Sequence, residues 1–351
     1  MASNSTSEMP VGVIGAGSFG IAVANLLVKN RSVILYARRA AVVDELQTTR
    51  AYNGRTLHKG VEVTRDIEEL TTRCKLLFPI VPAENFRNLM RDLSPYLAPD
   101  HLLIHGTKGF DIQLQEGEAL HTLRKIEKDR IKTMTEVIRE ESVVVRVGCM
   151  AGPNLSAEIS EGQPAATVVA SRFDEVIRAG QSALRSSMFR VHGNADLLAI
   201  EMAGVLKNIM AIAAGILHGK GYGDNTLALL ITRGLAEMAT IGKAMGADPR
   251  SFLGLAGIGD LVATCSSPRS RNYTVGFRLG KGEKLPEILA SMEEVAEGVR
   301  TVCMVRALAG YYRFPCPITQ ALYKTLFEDL DLDRGLLLLM EYPFREDVEF
   351  L

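Results

Sequence analysis

At 351 residues, with 47% hydrophobic and 23% charged side chains, the chain is long enough for two domains with separate cores and too apolar for disorder. A formal net charge of −1 gives no electrostatic reason to expect DNA, RNA or an anionic membrane as a partner. The five cysteines, Cys74, Cys149, Cys265, Cys303 and Cys316, show no CxxC or Cys/His spacing. That pattern argues against a disulfide framework and a structural zinc site, and points to buried thiols in a reducing cytosol.

Residues 1–10 carry neither a basic n-region nor an apolar core, so no secretory signal is read there. Five short apolar runs follow: Val11–Ile14, Ser32–Tyr36, Leu76–Val81, Leu102–His105 and Val143–Val147. Each is separated from the next by a helix-patterned segment, which predicts a doubly wound α/β domain with a parallel sheet buried on both faces. Between Asp111 and Glu141 the sequence is charged and helix-favouring, and it reads as a solvated amphipathic helical insertion. After about residue 195 strand signals vanish, and long Ala/Leu/Met/Ile segments predict helices over 196–217 and 225–245. The expected domains are 1–194, dinucleotide-binding, and 195–351, all-helical. The most apolar stretch, 200–217, contains Glu201, Lys207 and Asn208, which favours a core helix over a membrane span.

The first chemical motif is Gly15-Ala16-Gly17-Ser18-Phe19-Gly20, directly after the first strand. Such a turn suits a pyrophosphate: Gly15 for the turn, Gly17 for close backbone approach, Gly20 for helix–strand packing. At the end of the second strand, where an acid would bind the ribose of NAD, stand Arg38 and Arg39. They suit a 2′-phosphate and admit NADP, or they are a solvent-exposed pair. Lys108, after the fourth strand, either reaches a cofactor or phosphate or is a loop lysine.

Lys207 is set among apolar helical neighbours, with small residues at Ala203, Gly204, Ala211 and Ala214. Burial lowers a lysine's pKa and makes it usable as a proton donor to a ketone; the bland alternative is a lysine snorkelling at a helix seam. Asp260, closing a glycine-rich Gly254–Gly259 segment, reads locally as an N-cap. Ser270, Arg271 and Asn272 either hold a phosphate monoester or form a capped loop.

Taken with Thr107-Lys108-Gly109, Gly152-Pro153-Asn154-Leu155-Ser156, Gly204–Asn208, Gly254–Thr264 and Ala296-Glu297-Gly298, these motifs resemble the NAD(P)-dependent glycerol-3-phosphate dehydrogenases. The resemblance runs through most of the chain. It implies a Rossmann-type N-terminal domain, a helical C-terminal domain and a site between them. It implies Lys207 as general acid/base with Lys108 and Asp260 as catalytic partners. Gly152, Asn154, Asp260, Ser270, Arg271 and Asn272 fall on its substrate positions, and Ser18, Phe19, Arg38, Ser156, Arg271, Val295 and Glu297 on its dinucleotide positions. The implied cofactor is NADP or NAD, and the substrate pair is dihydroxyacetone phosphate and glycerol 3-phosphate, feeding phospholipid synthesis. A cytoplasmic homodimer without metal or stable membrane insertion is expected. The segment after Lys108 is longer than the family pattern. A ketopantoate-type dehydrogenase acting on a carboxylate, or a non-catalytic nucleotide sensor, are the competing readings.

Overall fold

The structure is a computed structural model, and it describes residues 9–292 and 296–343. The chain divides into two compact units, one of residues 1–107, 134–150 and 154–195, the other of 108–133, 151–153 and 196–351.

The first unit is built on an eight-stranded sheet. Its strands are β1 (Val11–Ile14), β2 (Val33–Tyr36), β3 (Val61–Thr64), β4 (Leu76–Pro79), β5 (Leu102–His105), β6 (Val147–Ala151), β7 (Ala165–Ser171) and β8 (Phe189–Asn194). They lie in the order β8-β7-β6-β5-β4-β1-β2-β3. The pairs from β6 through β3 run parallel, as do β7 and β8. Apolar side chains leave both faces. Val13, Ile21, Phe78 and Ile104 belong to one buried cluster, Ile14, Leu77, Phe86 and Leu103 to the other. Helices therefore cover the sheet on each side, as a doubly wound fold requires.

Three strands, β3, β7 and β8, escape the sequence reading, β7 although its run Thr167–Ser171 is buried. β3 and β8 alternate exposed and buried residues, which is the pattern of edge strands rather than a continuous apolar run. The fifth predicted strand is displaced: Val143 and Val145 are exposed, and the strand begins at Val147.

The expected amphipathic helix over 111–141 is corrected more deeply. A two-residue ribbon pairs Asp111–Ile112 with Ile131–Lys132, two short 3-10 turns lie between, and only Met134–Glu141 is α-helical. That helix is not solvated, because Met134, Val137 and Ile138 are fully buried in the sheet unit's core. The preceding part belongs to the other unit, where Phe110, Ile126 and Ile131 join the helical core. Charged residues between these apolar anchors imitate the polar face of one continuous helix, but the anchors serve two different cores.

The helix after β1 is α1 (Ser18–Leu27), and the second unit centres on α2 (Leu197–Lys220). Asp196 caps α2 by accepting from the Ala199 amide at 3.0 Å, and Gly221 closes it in the left-handed region. Twenty of its side chains or glycines are buried, so it is the core helix around which the unit forms. Among the described residues it alone is long and apolar enough to cross a membrane, and 89% of its most apolar window is buried inside the protein.

Around it pack α3 (Asp224–Ala244), α4 (Asp260–Cys265), α5 (Arg271–Gly280), α6 (Glu297–Tyr312) and α7 (Pro317–Phe327). The tightest crossing is between α2 and α5. A Cβ at Gly276 would sit 1.9 Å from the Ile212 carbonyl oxygen, and one at Gly215 would sit 2.1 Å from that of Tyr273, so glycines on both helices let the two backbones touch. This crossing sets the start of α5 alongside the middle of α2. Gly276→Val should cost at least about 3 kcal/mol, since backbone atoms on both sides leave nothing to repack. Urea unfolding would measure it, and a change below about 0.5 kcal/mol would show that the crossing relaxes freely.

Candidate active site

The glycine-rich turn between β1 and α1 assigns a separate job to each glycine. Gly15 has φ of +117°, and a Cβ there would lie 2.1 Å from the Ile80 carbonyl oxygen. Gly20 lies within α1 where a Cβ would meet the Gly15 carbonyl oxygen at 1.9 Å. These two fix the turn against β4 and draw the helix onto it. Gly17 differs: a Cβ there would meet nothing within 4 Å, and the residue is exposed at the N-cap of α1. The open space stands in front of a helix N-terminus, where backbone amides and the helix dipole favour a phosphate. A dinucleotide's pyrophosphate fits this cradle.

The two arginines after β2 part company. Arg39 donates to the Tyr52 hydroxyl and lies over that ring, 5.9 Å from its centroid. Arg38 is exposed, close enough to Tyr36 for its charge to oppose the burial that raises the Tyr36 pKa. Ser18 and Phe19 open α1, and Phe19 lies against Gly106 just past β5. Ser156 begins a short helix, Ser156–Ser160, that packs on α1. Asn154 is turned within the same unit to the Thr167 hydroxyl at 2.8 Å, and its side-chain oxygen is buried with no hydrogen-bond partner.

In the helical unit, Lys207, Lys108 and Thr264 converge on the Asp260 carboxylate. Lys207, on α2, is 5% exposed. Its Nζ donates to Asp260 Oδ1 at 2.5 Å and to the Thr264 hydroxyl at 2.6 Å. Lys108 donates to the other oxygen, Oδ2, at 2.8 Å, and to the Gly152 carbonyl at 3.3 Å. Asp260 is 1% exposed and thus bridges two ammonium groups in a dry setting. The N-cap reading of Asp260 is corrected: Gly259 occupies the cap, and the carboxylate turns to the lysines. The snorkelling reading of Lys207 fails for the same reason.

The approach to Asp260 is irregular. Leu255–Gly259 forms a π-helical turn, with the Gly259 amide reaching back to the Gly254 carbonyl at 3.4 Å. Gly257 in this turn lies against the Phe252 backbone, where a Cβ would come within 1.9 Å of the carbonyl oxygen. Thr264, one turn along α4, was not singled out by sequence. Its hydroxyl donates to the Asp260 carbonyl at 2.6 Å, which leaves a lone pair facing Lys207. A threonine four residues after an acid on a helix is too common a pair to reveal this.

Burial is the largest influence on Lys207 and pushes its pKa down to about 8; Asp260 opposes that shift and Lys108 adds to it. Burial alone would raise the pKa of Asp260, but the charges and hydrogen bonds of Lys108 and Lys207 outweigh it and hold the carboxyl below its ordinary value. The cluster therefore carries two ammonium groups against one carboxylate near neutral pH, a net positive charge.

Ser270 caps α5 by accepting from the Tyr273 amide at 3.3 Å. Arg271 is exposed on the first turn. Asn272 is buried and accepts from the Gly298 amide at 2.9 Å, tying α5 to the first turn of α6 and leaving its Nδ2 for another acceptor. Glu297 is the first residue of α6, and Val295 lies outside the described residues. All five cysteines are buried, and none is in a disulfide.

Two family profiles cover the chain. That of the NAD-dependent glycerol-3-phosphate dehydrogenase N-terminus matches residues 10–177, and that of the C-terminus of the same family matches residues 196–336. The chain belongs to the NAD-dependent glycerol-3-phosphate dehydrogenase family. It is 39% identical to the glycerol-3-phosphate dehydrogenase [NAD(P)+] of Pseudomonas aeruginosa strain LESB58, over 99% of this chain and 98% of the relative. It is 38% identical to the Macrococcus caseolyticus enzyme of that name, over 95% and 98%. The crystal structure of glycerol-3-phosphate dehydrogenase from Coxiella burnetii aligns with a TM-score of 0.83 at 30% identity, covering 95% of this chain and 99% of that one. Members of this family are oxidoreductases that use NAD or NADP, and the ketopantoate-type and non-catalytic readings are set aside.

Proposed function

We propose that this chain interconverts dihydroxyacetone phosphate and sn-glycerol 3-phosphate, with Lys207 as general acid/base and reduction of the ketone as the working direction. The observation that carries the reading is the buried Asp260 carboxylate shared by Lys207 and Lys108. The names of the relatives supply the substrate and the choice of nucleotide.

When bound, the nicotinamide cofactor supplies the hydride for reduction. The proton and the charge stabilisation fall to the chain's own residues. An ammonium group has three N–H donors. Lys207 spends one on Asp260 and one on Thr264, and the third is left for the ketone oxygen. With its pKa brought down to about 8, Lys207 is protonated at neutral pH yet gives up the proton readily as the oxygen becomes an alkoxide. Lys108 likewise has one N–H beyond those given to Asp260 and Gly152, and its charge opposes the growing negative charge on oxygen. Asp260 stays ionised and fixes both amines, so neither has to reorient during the reaction.

The substrate phosphate is assigned to Arg271 at the N-terminus of α5, with the Asn272 side-chain nitrogen beside it. Affinity at that unreactive end orients the carbon to be reduced. In the sheet unit the pyrophosphate is assigned to the Gly17 opening. Arg38, which unlike Arg39 is not committed to Tyr52, is assigned to a 2′-phosphate.

Loss of reduced-nicotinamide absorbance with dihydroxyacetone phosphate tests the reading. Lys207→Ala should lower kcat by roughly two to four orders of magnitude, the worth of a positioned proton donor. A loss under about tenfold would remove Lys207 from that role. Arg38→Ala should raise the KM for NADPH more than that for NADH; equal changes would mean that Arg38 does not read the 2′-phosphate.

A further inference from the structure

The segment between Phe110 and Ile131, longer than the family pattern, is fastened to the helical unit at a second concavity that the proposed reaction does not use. The Ile126 amide donates to the Ala307 carbonyl at 3.2 Å, and the Arg306 guanidinium donates to the Leu123 carbonyl at 3.1 Å. The Tyr323 hydroxyl donates to the His121 carbonyl at 2.5 Å. Gly310, on α6, lets the segment come this close, because a Cβ there would stand 2.2 Å from the Arg124 carbonyl oxygen. Beside these contacts lies a cavity of about 350 Å³.

Its lining is cationic. Arg124 comes from the segment, Arg306 from α6 and Lys324 from α7, against a single carboxylate, Glu328. Arg306 is preorganised: its guanidinium stacks 3.8 Å from the centroid of the Tyr323 ring while it bonds Leu123. Its carboxylate partner is loose, with Glu328 at 3.6 Å and half exposed. Such a pair is worth little and gives way to a stronger anion. Lys324 sits in the last turn of α7, where a cation complements the helix C-terminus, so it has a structural reason to be there. Arg124 is an exposed cation that the segment sets at the lining of this cavity. Three cations from three elements around a pocket of small-molecule size are a recognition pattern for a compact dianion.

We propose that Arg124, Arg306 and Lys324 form a second anion site, taking a small phosphate monoester in the cavity between the 119–126 segment, α6 and α7. The phosphate displaces Glu328 from Arg306 and bridges that fixed guanidinium to the two outer cations. Because the segment starts at Lys108 and returns through the ribbon of Asp111–Ile112 and Ile131–Lys132, ligand at this site stiffens the chain that carries Lys108.

The test uses inorganic phosphate as probe and titration calorimetry on the full chain. Arg271→Gln first removes the phosphate site assigned to α5. In that background phosphate should still bind, and adding Arg124→Gln and Lys324→Gln should weaken it at least about tenfold. Phosphate should also slow amide exchange over residues 119–126 in the Arg271→Gln protein and not in the triple variant. Equal phosphate binding by the single and triple variants would overturn the proposal, as would binding that 0.15 M salt abolishes, on the order of physiological screening, which marks an adventitious ion only. Neither result bears on turnover by the wild-type chain, so the two proposals fail separately.

Discussion

The helical unit depends on one electrostatic arrangement: a carboxylate with almost no access to solvent, held between two lysine amines. An unpaired aspartate at that depth would be protonated or would unfold its surroundings, and burial alone pushes Lys207 towards its neutral form. Together they remain ionised, because each satisfies the others' hydrogen-bonding capacity. The excess of one positive charge is left for whatever anion or incipient oxyanion approaches. Such a cluster is a poor way to stabilise a protein, since apolar residues of the same volume would serve as well or better. Its presence in the core is a reason to look for chemistry.

Much of the surrounding structure can be understood as the means of holding that cluster. Lys207 stands in the middle of the longest and most buried helix, where the backbone has least freedom. Asp260 arrives from a π-turn whose glycines let the chain press against Phe252. Thr264 uses its proton on the helix backbone so that its lone pair meets Lys207. Lys108 is brought in by a segment whose apolar anchors, Phe110, Ile126 and Ile131, are buried in the same core. In the sheet unit the same economy of space appears at the β1–α1 turn, where two glycines are crowded and the third faces open space.

How far this was legible in the sequence follows from what each residue's neighbours are. Lys207 stood out because a charge amid Ile, Leu and Met needs a partner, and the small residues around it marked an approach face. The partner itself was not legible, since Asp260 lies 53 positions away and reads locally as a cap. Gly15, Gly17 and Gly20 were legible because their roles are local to one turn. β3 and β8 were not, because an edge strand's alternating pattern resembles a surface loop. The 111–141 segment misled because its apolar residues serve two cores, a long-range fact that no local period encodes. The bonds of Asn154 to Thr167 and of Ser270 to the Tyr273 amide were not legible either, since each needs the folded geometry of its loop.

The central claim concerns the protonation state of one amine, and it can be read without turnover. Lysine side-chain nitrogens labelled with ¹⁵N, with Lys207 assigned through Lys207→Arg, give its titration curve by NMR. The account predicts a midpoint near pH 8, with Lys207 charged at neutral pH and losing its proton well before the solvent-exposed lysines. A midpoint at the ordinary value of about 10.4 would show that burial does not depress this amine and would contradict a proton donor poised near neutrality.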